Sequence, residues 1–169
     1  MDKRTGGTGN SEDWPECLGK ALLDKTGIMR YFWRMKVYDY KSQFGWAEDN
    51  GIGERLIQQI LRGEKTATAG PKSLYSPDEL AVLFESVGRS STVIDKNGAP
   101  RCNIMILEVF ETKFGSPDLK LLAGEGYGDN FKAFQDSHRK AWQDLVQSGE
   151  LDLNDETVLV VEVFKLLQE

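Results

Sequence analysis

Gly63-Glu64-Lys65-Thr66-Ala67-Thr68-Ala69 concentrates more potential chemistry than any other stretch of this sequence. It follows directly on an apolar helical pattern, and Gly63 lets the chain turn sharply. Lys65 and Thr68 then leave the turn three residues apart. On a flat strand side chains alternate faces, so residues three apart point oppositely. The two converge only if the first of them still belongs to the turn. Converged, an ammonium and a hydroxyl share one small site, which is the chemistry of a nucleophile beside a base or of an anion clamp. Otherwise the segment is a glycine-capped helix followed by a polar strand. Spacing alone allows both.

Other residues are weaker candidates. Ile28 to Phe44 mixes Arg30, Arg34, Lys36 and Lys41 with six aromatic side chains, among them Tyr31, Trp33 and Tyr40. Such a mixture grips a nucleic-acid backbone and stacks a base, or it is a strand with aromatics inward and charges outward. Tyr75 is placed to stack a base, although a lone loop aromatic is more often structural. His138 is the only histidine and lies on the apolar face of a helix, as a packed core residue or as a general base. Trp142 and Phe134 read as core. Glu150, Asp152, Asp155 and Glu156 lack the ordered spacing of a calcium loop and read as a solvated turn. There is no phosphate-binding P-loop, no dinucleotide fingerprint in a strand–helix context and no Gly-x-Ser-x-Gly elbow. Cys17 and Cys102 are the only cysteines. They make neither a disulfide framework nor a metal cage, so no metal or cofactor is expected and a reduced cytoplasm is the simplest home.

The elements that must position these groups follow from pattern. Ser11 can cap a helix carrying Leu18, Ala21 and Leu22 that stops near Gly27. Tyr31 to Tyr40 is rich in β-formers and is expected to be extended. Ile52, Leu56, Ile57, Ile60 and Leu61 fall at helical spacing over 53–61, with Gly63 at the C-terminal cap. Lys65 to Ala69 is a short strand. Ser76-Pro77-Asp78-Glu79 starts a helix through Leu80 to Phe84. Ser91–Ile94 and Arg101–Lys113 flank Lys96-Asn97-Gly98 as a hairpin, with positive φ expected at Asn97 and Gly98 and a bulge in the longer strand. Ser116-Pro117-Asp118 opens a helix with Leu119, Leu121 and Leu122. Gly124 to Gly128 interrupts it, and a longer helix is expected over 129–147, ended by Gly149. Thr157 to Leu166 is the last strand. The sum is α+β with several antiparallel strands in a closed or nearly closed sheet.

With 169 residues and 40% apolar side chains, the chain is of single-domain size and large enough to bury a core without staples. No apolar run approaches the ~18 residues of a membrane helix, and Met1 to Asn10 has no apolar segment of a secretory signal. The net charge of −6 argues against coating nucleic acid by bulk electrostatics. The charge is uneven: residues 1–75 hold 12 basic and 10 acidic side chains, and residues 76–169 hold 9 and 17. An anion site should therefore draw on the first half.

Gly63-x-Lys65-x-x-Thr68 after an amphipathic helix resembles the signature of the ASCH family, the activating-signal-cointegrator homology domains. Phe44-Gly45 ahead of the helix, Asn97-Gly98-x-Pro100 leading into Cys102 to Val109, and Gly124-Glu125-Gly126 before a helix with His138 and Trp142 resemble its larger bacterial branch. The polar, glycine-rich 1–10 is expected to be a disordered tail, and 11–43 an extension packed on the domain; the resemblance covers an ASCH domain at 44–169. It implies a PUA-like small β-barrel of mostly antiparallel strands with flanking helices and a cleft between them. It also implies RNA binding. One small bacterial branch hydrolyses the amide of N4-acetylcytidine, and other members are reported to cut RNA. The amidohydrolase branch uses the motif Lys, the motif Thr and a Glu after the barrel strands, which correspond to Lys65, Thr68 and Glu125. Gly63, Thr66, Tyr75 and His138 are then expected on the substrate side. The broader motif has an Arg two residues past the Thr; Gly70 stands there, so a phosphate-holding cation is missing.

Chemically, Thr68 would attack an acyl carbon, a neutral Lys65 would take its proton, and Glu125 would shuttle it or orient the amine. Alternatively Lys65 and Glu125 are an ion pair that pins a glycine-rich loop. The expected ligand is a modified nucleoside, a nucleobase or a short single-stranded RNA, with no membrane partner. The competing expectations are an amidohydrolase of an N-acylated nucleoside, a ribonuclease, and a protein-interaction module with an inert cleft.

Overall fold

The computed structural model describes residues 35–168 and the backbone of two further strands. These strands, β1 (Lys20–Leu23) and β2 (Met29–Phe32), pair antiparallel in register Lys20–Phe32 to Leu23–Met29. The helix expected around Leu18, Ala21 and Leu22 is therefore corrected where it overlaps β1. A short apolar run such as Ala21-Leu22-Leu23 does not distinguish helix from strand by periodicity, and the partner strand supplies the hydrogen bonds that decide it. The tail at 1–10 and the cap at Ser11 lie outside the described residues. The chain separates at Met35 into this N-terminal unit and a second compact unit, Lys36–Gln168.

In the second unit the order is β3 (Lys41–Gln43), α1 (Ile52–Leu61), β4 (Ala67–Pro71), α2 (Pro77–Glu85), β5 (Ser90–Ile94), β6 (Pro100–Lys113), α3 (Leu119–Gly124), α4 (Phe131–Ala141), α5 (Gln143–Gln147) and β7 (Val158–Leu166). Five strands make one sheet in the order β3-β5-β6-β7-β4. β3 runs parallel to β5, and every other pairing is antiparallel. The sheet is open. This corrects the expected closed barrel, because edge strands β3 and β4 do not pair with each other. Lys41, Ser42 and Gln43 from one edge and Thr68, Ala69 and Gly70 from the other instead line a common cavity.

Each face of the sheet has its own core. On one face Ile57 and Ile60 of α1 pack with Phe44, Val93, Ile104, Ile106 and Phe164. On the other Leu121, Leu122 and Phe134 from α3 and α4 pack with Ala67, Phe114, Leu159 and Val161. β7 serves both, as strand alternation requires. The β6–β7 register shifts between Ile106 and Glu108, which is the expected bulge.

Local chemistry explains the elements. Asp49 caps the start of α1 by accepting from the N–H groups of Gly51 and Gly53, each at 2.9 Å. The backbone of Gly45 lies against Gly53 so closely that a side chain on Gly53 would overlap it. Ser76 and Glu79 form a reciprocal capping box on α2. In the β5–β6 turn Asp95 Oδ1 accepts from the N–H groups of Asn97 and Ala99, and only Gly98 takes positive φ. The Asn97 expectation is thus corrected: the Asp95 side chain holds the turn. The single long helix expected over 129–147 is two helices that break at Trp142, whose φ is −101°. No helix among the described residues is long and apolar enough to cross a membrane.

Candidate functional site

Gly63 is where the site begins. Its φ of +72° ends α1 in a left-handed turn. The N–H groups of Glu64 and Lys65 both still donate to Gln59 O, at 2.8 and 3.2 Å. Lys65 is therefore part of the turn, and the strand starts two residues later at Ala67. This removes the strand-parity conflict. Lys65 and Thr68 line the same cavity.

The glycines after α3 bring the partner. Thr66 N–H donates to Gly124 O at 2.7 Å. A Cβ on Gly124 would lie 2.5 Å from Ala67 Cβ and 2.9 Å from Ala67 N, so only glycine lets α3 approach β4 this closely. The following Glu125 then reaches Lys65, with Nζ 2.9 Å from Oε1. Its other oxygen lies 3.2 Å from His138 Nε2. His138 Nδ1 in turn lies 2.9 Å from Phe134 O. Both ring nitrogens thus face oxygen atoms. Burial pushes the Glu125 carboxyl up; the Lys65 ammonium and His138 outweigh this and hold it below the ordinary glutamate value.

His138 is also packed, its ring 4.1 Å from Phe134 and 4.8 Å from Trp142 between centroids. The two expectations for it are not exclusive here, since it lines the cavity as well.

The cavity measures about 970 Å³ and is open to solvent. Thr68, Gly70, Val160, Glu162 and Phe164 make its sheet side. Glu125, Tyr127, His138 and Trp142 come from the α3–α4 side, and Arg55 and Leu56 from α1. Tyr75 lies over Gly70: a Cβ at Gly70 would overlap the Tyr75 hydroxyl and come within 3.2 Å of its ring. The departure at Gly70 thus has a packing reason, because the Tyr75 ring occupies the space a side chain there would need. Gly63 and Thr66 are not among the lining residues. Gly63 makes the turn and Thr66 fastens β4, its carbonyl accepting from Phe164 N–H at 2.8 Å.

Glu162 was not singled out from sequence. It stands directly opposite Thr68 in the β4–β7 ladder, and burial raises its carboxyl above the ordinary value. The available signal was a single charge inside Val158-Leu159-Val160-Val161-Glu162-Val163-Phe164. Tyr40 and Phe44 both line the cavity, and Phe44, 6% exposed, also belongs to the core against which Tyr40 packs. Where it is described, the aromatic-basic segment therefore serves core and cavity with the same side chains.

The ASCH domain family model matches residues 43–168. The chain belongs to the ASCH domain family. The crystal structure of an ASCH domain from Lactobacillus crispatus JV V101 is similar at TM-score 0.58 and 27% identity, over 75% of this chain and 80% of that one. A protein from Enterococcus faecalis V583 assigned to the family DUF984 shares the fold at TM-score 0.63 and 17% identity, over 78% of each chain. No curated protein matches the sequence significantly. Within this ASCH domain the signature residues Lys65 and Thr68 and the distant Glu125 share one cavity.

Proposed function

We propose that this ASCH domain binds a nucleobase, presented by a nucleotide or by one unstacked residue of single-stranded RNA, in the cavity beside Lys65, Thr68 and Glu125. The observation that carries this is a buried ion pair at the wall of an open cavity of about 970 Å³ that also exposes aromatic rings. Ligand sites of this size combine apolar walls with a few fixed polar groups. Single strands offer the base edges and faces that such a site reads. Lys41, Arg55 and Lys140 line the cavity and make no ion pair among the described residues, which leaves them for a ligand phosphate. The test is thermal melting and calorimetry with the four common ribonucleoside monophosphates and a short single-stranded RNA. A ligand selective for the native state must raise the melting temperature. No shift with any of them at millimolar concentration sinks the proposal and favours an inert cleft in an interaction module.

A second reading, hydrolysis of an N-acylated nucleoside, is favoured by one further observation: the Thr68 hydroxyl makes no hydrogen bond among the described residues and stands free in the cavity. A neutral Lys65 would accept the proton from Thr68 as Oγ adds to the acyl carbon, while Glu125 orients the substrate nitrogen. The C–N bond then breaks, the leaving nitrogen takes the proton from Lys65, and water releases the acyl group from Thr68 as a carboxylic acid. Turnover of N4-acetylcytidine that vanishes in Thr68→Ala and Lys65→Ala supports it. Cleavage of labelled single-stranded RNA in the same assay would point to a ribonuclease instead.

A further inference from the structure

Two carboxylates line the cavity, and they differ in one respect. Glu125 has both oxygens occupied, by Lys65 and His138. Glu162 makes no hydrogen bond and no ion pair among the described residues. It is nevertheless held firmly. It lies mid-strand in β7, paired with Thr68 on one side and Val109 on the other. Strand alternation places it with Val160 and Phe164, which line the cavity, while Leu159, Val161 and Val163 face α3 and α4.

An unpartnered carboxylate in such a setting costs stability, because water is partly excluded and no cation replaces it. A valine would suit the strand better, as its neighbours show. Tyr75 and Tyr40 line the same cavity and feel the charge of Glu162. Burial raises both phenols, and Glu162 raises them further, so both stay protonated beside it. The site therefore offers two acceptor oxygens on a rigid strand, two aromatic rings, and no donor committed to the carboxylate.

We propose that Glu162 reads the base in this cavity and selects an edge with two adjacent N–H donors, which among the common bases is the edge of guanine. This rests on the nucleobase proposal above. An ionised carboxylate is acceptor-only, and its two oxygens match the parallel ring N–H and exocyclic amine of guanine. Cytosine and adenine place one amine beside a ring acceptor, which faces the second carboxylate oxygen unfavourably. Uracil brings one N–H between two carbonyls.

The experiment is calorimetric titration of the full chain with guanosine 5′-monophosphate and inosine 5′-monophosphate, which differ only in the 2-amino group. The adenosine, cytidine and uridine monophosphates are run beside them. The expected result is guanosine monophosphate bound about 10–100-fold tighter than inosine monophosphate, the usual scale of a two-point base contact. In Glu162→Gln that ratio falls toward one, because the amide offers one acceptor and one donor. If nucleotides bind but the 2-amino group makes no difference, or if the preference survives in E162Q, Glu162 does not read the base and only this inference falls. If no nucleotide binds, the nucleobase proposal falls and takes this one with it. The wild-type ratio is read without any variant, so the test does not depend on how well E162Q folds.

Discussion

Lys65 Nζ lies 2.9 Å from Glu125 Oε1 although 60 positions separate the two residues, and their side chains are only 4% and 6% exposed. Removing one partner of so buried a pair strands the other charge, at about 3–5 kcal/mol. Lys65→Met should lose that much in urea unfolding, and Lys65→Met with Glu125→Leu should recover part of it. A loss under about 1 kcal/mol, the range of exposed pairs, would mean the pair is solvated.

Glu125 and Glu162 should respond to pH with opposite signs. The folded value of Glu125 is depressed, so its contribution is complete above pH 4.5, the ordinary value, and disappears as pH falls through the folded value. Glu162 is raised: its contribution is complete below pH 4.5 and disappears as pH rises through the folded value. Stability–pH curves should therefore flatten on the acid side in Glu125→Gln. Glu162→Gln should gain on wild type from pH 4.5 upward. Parallel curves for wild type and E162Q would show that Glu162 is solvated.

Gly70 and Tyr75 should be energetically coupled. Gly70→Ala forces the Tyr75 ring aside, while a Tyr75→Ala background removes the three atoms nearest that Cβ. A double-mutant cycle on stability should give a coupling of about 0.5–3 kcal/mol. Additivity would mean the ring does not rest on Gly70.

Gly124→Ala should destabilise by about 1–3 kcal/mol, the usual cost of overpacking, since its Cβ would sit 2.5 Å from Ala67 Cβ. It should also weaken nucleotide binding, because the α3–β4 contact carries Glu125 to Lys65. Unchanged binding in a destabilised G124A would separate the ion pair from the ligand site.

RNA binding should depend only weakly on salt. With Lys41, Arg55 and Lys140 as the cavity-lining cations that make no ion pair among the described residues, log K against log salt should have a slope no steeper than about −2 for a single strand. A markedly steeper slope would place the RNA along another surface.

The local pieces were legible in the sequence because local chemistry makes them. Helical spacing from Ile52 to Leu61, the left-handed cap at Gly63, the helix start at Ser76-Pro77-Asp78-Glu79, and the Val-rich last strand each fix their own element within a few residues. The Gly63-x-Lys65-x-x-Thr68 signature and the Gly124-Glu125-Gly126 landmark likewise carried the family. The β5–β6 hairpin was legible from its Asn97-Gly98 turn, but pairings between strands distant in sequence were not. Nothing near Ala21 announces β2, so a helix was the natural reading there. Nothing near Lys41 announces that β3 runs parallel to β5 and leaves the sheet open, and that opening provides the cavity. Thr68 meets Glu162, and Lys65 meets Glu125, only because distant strands and helices bury their apolar faces against one another. Such contacts depend on the packing of the whole sheet: the resemblance grouped Lys65, Thr68 and Glu125, but the tertiary structure decided their geometry and added Glu162 to the site.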